Sequence, residues 1–405
     1  MTNKLSWRAL TVFTLSYVFA ALAANSIGPL APFLQEELGF TKGNIGLFTT
    51  SIYLSAALFS IPAGWLADHW GVRKALVIGL VMQAIFTCGL LTGLLPWMLL
   101  FMFLSGIGYG VVNPATGKGV MVWFSSTLRG TAMAIKQSGF TLGGVLAGVI
   151  LPPVAILFGW QRSILTVAGL LFLGAFVAYI FCPNKQDEFI QNKTENENKL
   201  NLSNTQPSSW DKKTVIFWSI IMIFFAAVQQ AGTTFLVIYL VEKVGYTKVA
   251  AGMFFSLTLI SGGIGRIAWG WVSDFWFKGD RKKVLIIVGL IAAAVCIILG
   301  FVPAGFNPVL LGLIVFLFGF TAIGYNAVFL TLVAEVAGKE NAGKATGLSL
   351  MIAYLGAIFG PPVFGLIVDF THAYLIAWLI FGGLLALATL STVFYRLKLP
   401  ASSYQ

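Results

Sequence analysis

Two cations stand where a cation is least at home. Lys136 and Arg266 each fall well inside a long apolar stretch. A charge in such a place is costly and asks for a partner. Lys136 lies seven residues after Arg129, about 10 Å along a helix. Arg266 lies eight residues before Asp274, about 12 Å along its own helix. The two therefore sit at similar depth. The carboxylates that might pair with them, Asp68, Asp274, Glu335 and Asp369, all fall near the ends of apolar stretches. An anion from outside the chain would supply the missing charge. A guanidinium grips a carboxylate with two parallel hydrogen bonds, and an ammonium adds a point charge. The alternative for each cation is a set of backbone carbonyls at a helix break. A third cation, Lys118, is close enough to Trp123 and Phe124 to extend its ammonium to the membrane boundary.

Polar side chains that would complete such a site recur in pairs. Asn25 and the Gln229/Gln230 pair hold nearly matching places in the two halves of the chain, as do Asn113 and Asn326. Gln137 follows Lys136 directly, and Tyr109, Tyr325 and Tyr354 offer hydroxyls on apolar rings. Each of these is either a ligand contact or a hydrogen bond between helices. The histidines, His69 and His372, lie near predicted membrane boundaries, and no nucleophile–base set or metal-ligand constellation appears. Enzymatic chemistry is not expected, and neither is a cofactor or metal. Cys88, Cys182 and Cys296 lie in or beside apolar stretches without metal spacing, as packing residues do.

The elements that must position these groups are transmembrane helices. Hydrophobic residues make up 58% of the 405 and charged residues 10%, and the mean hydropathy is strongly positive. A soluble core of this size does not need that composition. Stretches near the ~20 residues needed to cross a bilayer recur at 9–33, 44–67, 75–94, 97–122, 129–156, 162–182, 213–241, 248–272, 283–303, 307–332, 343–368 and 373–395. They predict twelve helices, because barrel strands would be shorter and would alternate. Basic residues gather on one side, among them Arg8, Arg73, Lys74, Arg129, Arg281 and Lys344, whereas Lys42, Arg162, Lys243 and Lys248 hold the other. The positive-inside rule then places both termini in the cytoplasm. The net charge of +11 is scattered over short loops, which favours anionic lipid over nucleic acid. The first apolar stretch lacks the short core and cleavage site of a removable signal peptide. From Pro183 onward a stretch rich in Asn, Ser, Lys and Glu reads as a flexible linker. The glycosylation-like triplets at Asn192 and Asn201 would face the cytoplasm and read as chance. The expected units are an amino-terminal bundle (1–182), a cytoplasmic linker (183–212) and a carboxy-terminal bundle (213–405).

The two bundles are copies. Leu38 to Gly46 reappears as Val244 to Gly252, and Gly64-Trp65-Leu66-Ala67-Asp68 as Gly270-Trp271-Val272-Ser273-Asp274, both in a register of 206. The register then becomes 213, where Gly106 matches Gly319, Asn113 matches Asn326, Gly130 matches Gly343 and Gly143 matches Gly356. Many secondary transporters are built from such repeats, with the site between them.

The run Gly64-Trp65-Leu66-Ala67-Asp68-His69-Trp70-Gly71-Val72-Arg73-Lys74 closely resembles the signature of the major facilitator superfamily. Val72 departs from that pattern and leaves the charge to Arg73 and Lys74. A second copy ends in Asp274 and Arg281-Lys282-Lys283. Gly64 permits close helix approach, and Asp68 can pair with a basic residue or a helix amino terminus. A contact of that kind can exist in one state and break in another. The resemblance implies that Gly64, Asp68, Arg73, Lys74 and Asp274 form a cytoplasmic gate, with Arg129 and Glu335 as further candidates; the alternative is a set of solvated charges worth little.

Ser261-Gly262-Gly263-Ile264-Gly265-Arg266 looks like the eighth span of oxalate/formate and monocarboxylate transporters, in which the matching arginine contacts the substrate carboxylate. Asn113-Pro114-Ala115, Arg129-Gly130-Thr131-Ala132 and Lys136-Gln137-Ser138-Gly139 resemble anion porters and cyanate-permease-like proteins. The lysine those oxalate/formate proteins carry in the eleventh span is missing here, and Lys136 is its candidate replacement. The fifth and eleventh spans are rich in glycine and end in Pro152-Pro153 and Pro361-Pro362, a composition that allows bending and close packing. The reading is an all-α membrane transporter, monomeric and in a bacterial inner membrane. It would move a small anion, expected to be a carboxylate, by proton symport or anion exchange. An exporter of drugs or amphipathic metabolites is the alternative. It is weakened because pumps for cationic compounds usually carry a buried acid. A receptor with the same fold would need a signalling domain that these loops leave no room for.

Overall fold

The computed structural model describes residues 4–125, 128–183, 211–338 and 341–395; the side chains of 4, 60, 61 and 63–68 lie outside that description. Among the described residues the chain forms thirteen α-helices: α1 Lys4–Ala24, α2 Ile27–Leu38, α3 Lys42–Cys88, α4 Leu95–Trp123, α5 Arg129–Phe158, α6 Trp160–Phe181, α7 Lys212–Tyr239, α8 Lys248–Phe275, α9 Arg281–Phe301, α10 Pro308–Ala322, α11 Asn326–Ala337, α12 Ala342–Thr371 and α13 Tyr374–Phe394. They make twelve spans. The first is α1 with α2, bent at Asn25-Ser26, and the tenth is α10 with α11, bent at residues 323–325. The second and third share α3, which breaks at Gly71, where φ is 79°. Only a residue without a Cβ takes that conformation at no steric cost.

The helices run past the apolar stretches because polar residues cap them. Thr41 and Asn44 form a reciprocal capping box at the start of α3. Asp211 accepts from Thr214 N at 3.1 Å, and Asp280 from Lys283 N at 3.1 Å. Each satisfies an amide that has no partner inside its helix. Outward faces carry bare apolar side chains such as Leu157, Ile267, Phe370 and Leu387. In water such a surface would be sticky, and against lipid it is matched.

The duplication of the sequence is a duplication of contacts. A methyl added at Gly106 would strike Ser55 and Ile52, and one at Gly319 would strike Ser261 and Thr258. Those partners are themselves 206 residues apart. Likewise α5 meets α1 where Gly143 lies against Val18 and Leu22, and α12 meets α7 where Gly356 lies against Ile223 and Ala227. In lipid, where apolar contact alone brings little association, close backbone approach of this kind holds helices together. The bundles then meet each other through α2 with α7, α3 with α12, and α5 with α8. At that seam Gly46 abuts Pro361 and Pro362, and Gly148 abuts Gly252.

Candidate functional site

Eight helices, four from each bundle, enclose a cavity of about 560 Å³ at the centre of the molecule. Tyr17 comes from α1, Tyr53 from α3, Tyr109 and Asn113 from α4, and Gln137 and Phe140 from α5. The other wall holds Gln229 and Gln230 from α7, Arg266 from α8, Tyr325 and Asn326 at the bend into α11, and Tyr354 from α12. Of the eleven residues that sequence offered for a binding set, nine line this space, all but Lys136 and Asn25. Small residues, Ala134, Ala226, Ala327, Ala353 and Ala357, keep it open.

Arg266 is its charged feature. The guanidinium stands 5.9 Å from the ring centroid of Phe140, and its Nε is buried without a hydrogen-bond partner. A buried donor left in that condition costs free energy until something accepts from it. The ring face contributes some attraction, and among the described residues no carboxylate lines the cavity.

Lys136 and Asn25 are placed differently. Lys136 is buried behind the wall. Its ammonium donates to Asn113 Oδ1 at 2.5 Å and to the Asn113 carbonyl at 3.3 Å, and it lies 4.3 Å from the Tyr17 ring centroid. Much of its surroundings is thus the carbonyl environment that sequence offered as the alternative to a ligand contact. Asn25 turns back on its own helix, donating to the Ala21 carbonyl at 2.8 Å, and serves the bend between α1 and α2. Asn326 does similar work at the tenth span, donating to Gln229 Oε1 and the Ile323 carbonyl, both at 3.1 Å. Tyr17 and Tyr53 line the cavity although neither was anticipated. Tyr17 stacks on Tyr109 at 6.5 Å, and Tyr53 stands edge-on to Tyr109 at 6.3 Å and 6.2 Å from Tyr354. A tyrosine in an apolar run gives no sign of which way it faces; a mid-span position shared with Tyr109 was the available clue.

The face opposite the chain termini is sealed across the bundles. Asp369 at the end of α12 accepts from the backbone amides of Lys42 and Gly43 at 3.0 and 2.7 Å, capping the start of α3. Lys42 pairs with Glu242 at 3.2 Å, and Lys248 pairs with Glu36. Deeper in, Thr49 meets Thr234 at 2.9 Å, and Thr50 donates to the Ile358 carbonyl at 2.5 Å. From Arg266 the cavity lining continues the other way, through Met133, Leu330 and Leu350, toward the face that bears the termini.

On that terminal face the candidate gate residues separate. Arg281 joins Asp274 at 2.5 Å and Glu335 at 3.1 Å and also donates to Ser273 at 2.8 Å. It ties the ends of α8 and α11 to the start of α9. Arg129 donates to the Phe124 and Met121 carbonyls at 3.0 and 3.1 Å, closing the end of α4 within its own bundle. Arg73 lies over the Tyr179 ring at 4.9 Å, and Lys74 is exposed. The packing at Gly64 and the side chain of Asp68 lie outside the described residues. Arg281 had been noted only as part of the second motif copy; its position after Asp274 was the signal for its bridging role.

Two six-span bundles, related by repeat and closed around a central cavity, are the architecture that the signature motif implied. A family model described as Major Facilitator Superfamily matches residues 13–361 and 279–405. The chain belongs to the Major Facilitator Superfamily. It is a secondary transporter and a multi-pass membrane protein. Among relatives in this superfamily, the hexuronate transporter of Bacillus subtilis is 25% identical, over 94% of this chain and 92% of its own. A probable sulfoacetate transporter of Cupriavidus necator is 26% identical, over 97% and 94%. The glycerol-3-phosphate transporter of Bacillus subtilis is 26% identical, over 84% and 80%. Among solved structures of the fold, a D-xylose–proton symporter superposes with a TM-score of 0.77 at 16% identity, covering 96% of this chain and 98% of that one. A bacterial homologue of the human lysosomal transporter Spinster, inward-facing and occupied, gives 0.74 at 16%, covering 97% and 98%.

Proposed function

We propose that this facilitator carries a small organic anion, a carboxylate in the first instance, and that Arg266 is its principal anion contact. The observation that carries the reading is the guanidinium in the central cavity, with its Nε buried and unpartnered and, among the described residues, no carboxylate in the lining. A substrate acid group would take that donor in a charge-assisted bond. Tyr17, Tyr109, Gln137, Gln230 and Asn326 would receive the rest of the molecule. Relatives named for a hexuronate, a sulfoacetate and a glycerol phosphate support an anionic substrate. The resemblance of the eighth span to oxalate/formate and monocarboxylate transporters supports a carboxylate in particular.

The proposed setting is a bacterial inner membrane with both termini in the cytoplasm, since the basic residues gather on the terminal face. The conformation is then inward-open. Bundles 1–182 and 213–405 would rock about the cavity as a monomer, joined by the linker 183–212. Transport is by proton symport or anion exchange. The test is thermal stability of the purified protein against D-glucuronate, sulfoacetate, glycerol 3-phosphate, lactate, cationic dyes and neutral sugars. A ligand at a hundred times its dissociation constant adds about 2.7 kcal/mol. Stabilisation by one class of anion, lost in Arg266→Ala, supports the reading. Stabilisation by cationic or neutral compounds, retained in that variant, overturns it in favour of an exporter.

A further inference from the structure

Three side-chain amides that line the cavity, those of Asn113, Gln229 and Asn326, have their sense fixed by their partners. The Nζ of Lys136 lies 2.5 Å from Asn113 Oδ1 and 3.3 Å from the Asn113 carbonyl. A lysine nitrogen facing two carbonyl oxygens can only donate to them, so the amide oxygen of Asn113 is committed to Lys136. The end of Asn113 left without a partner among the described residues is its NH2 group. Asn326, its repeat counterpart in the other bundle, is turned the opposite way. Its Nδ2 donates to the Ile323 carbonyl, a group that only accepts, so its open end is Oδ1. The same Nδ2 donates to Gln229 Oε1, which leaves Gln229 with its NH2 open. The resulting inventory is lopsided. Arg266, Asn113 and Gln229 offer donors, Asn326 offers an acceptor, and tyrosine hydroxyls serve either way.

We infer that the carried anion has a second acid group, that the NH2 of Asn113 receives it, and that Lys136 positions this donor without touching the substrate. This rests on the anion reading above, in which Arg266 holds the first acid group. An ionised acid group only accepts hydrogen bonds, so it is matched by an open donor and opposed by an open acceptor. An asparagine free to turn would present either end. Lys136 removes that freedom before the ligand arrives, and an end already oriented costs less to bind. The hydrogen bond at Oδ1 also polarises the amide and strengthens its N–H donors. Lys136 is itself 2% exposed and is steadied by the Tyr17 ring, 4.3 Å from its Nζ. It therefore acts through Asn113. The two acid contacts come from different bundles, Asn113 on α4 and Arg266 on α8.

The experiment is calorimetric titration of the full-length protein with matched pairs of anions at mildly alkaline pH, where every acid group is ionised. The pairs are succinate with butyrate, sulfoacetate with propionate, and D-glucarate with D-gluconate. Members of a pair are similar in size and differ chiefly in the second acid group. The wild type should bind the two-acid member of at least one pair about tenfold tighter. Asn113→Asp turns the open end from donor to acceptor, so the preference should reverse in that pair. Lys136→Met frees the amide to turn and should bring the preference close to unity. Lys136→Arg can donate to the same oxygen and should restore it. If Asn113→Asp does not fold, Asn113→Leu, which has no polar end, should abolish the preference. A wild type that binds the one-acid members as tightly in every pair overturns the inference and leaves the anion reading standing. A preference that is unchanged in the Asn113 and Lys136→Met variants does the same. If none of the six anions binds, the inference falls together with that reading.

Discussion

At the scale of single residues, the chemistry concentrates on Arg266. A hydrogen bond to a charged group contributes about 1.5–3 kcal/mol. Arg266→Ala should therefore weaken binding of a carried anion by about ten- to a hundredfold. Arg266→Lys keeps the charge and loses the planar fork, so recovery of affinity should be partial. A dissociation constant from ligand titration checks both. Arg266 was legible because depth along a helix can be counted from a boundary residue, Asp274. What counting cannot supply is azimuth. Lys136 is at comparable depth, but its side chain turns into the packing between α1, α4 and α5, where Asn113 holds it. Asn25 was legible as polar and mid-span, yet its amide serves a helix bend.

At the scale of elements, two features make distinct predictions. The matched glycines set helix separation in each bundle. Gly106→Ala and Gly319→Ala each place a methyl against Ser55 and Ser261 respectively and should each cost about 1–3 kcal/mol. Thermal unfolding in detergent reads this, and the two losses should be of similar size because the contacts are repeats. The second feature is Arg281, which fastens three helix ends through Asp274 and Glu335. Arg281→Gln should loosen the terminal-face end of the carboxy-terminal bundle, seen as faster hydrogen exchange at the ends of α8 and α11 and the start of α9. The amino-terminal bundle should be unchanged. Span number and repeat were readable from apolar length and spacing. The sharing of α3 by two spans was not. A helix carries on through a polar turn until a residue such as Gly71 takes a positive φ, and only the surrounding packing selects that residue.

At the scale of the whole molecule, the opposite face is closed by Asp369 on the start of α3, with ion pairs to either side. A carboxylate at a helix amino terminus is worth about 1 kcal/mol. Asp369→Asn should shift the balance toward opening of that face by about fivefold, readable as greater labelling of a cysteine placed beside Thr49. The converse experiment locks the molecule. Thr49 and Thr234 touch across the bundles, so Thr49→Cys with Thr234→Cys should cross-link on oxidation. Transport should then stop and return on reduction.

Sequence by itself determined the fold class, the duplicated six-span halves, the family and the arginine at mid-depth, because each of these is written in local hydropathy, in spacing or in a contiguous motif. Tertiary structure alone decided which side chains meet: that Tyr17 and Tyr53 face the cavity, that Lys136 stands behind Asn113, that Arg281 binds Asp274 to Glu335, and that Asp369 reaches an amide 326 residues away. The reason is physical. A helix specifies how deep each residue lies, whereas rotation about its axis is settled by the neighbours that pack against it.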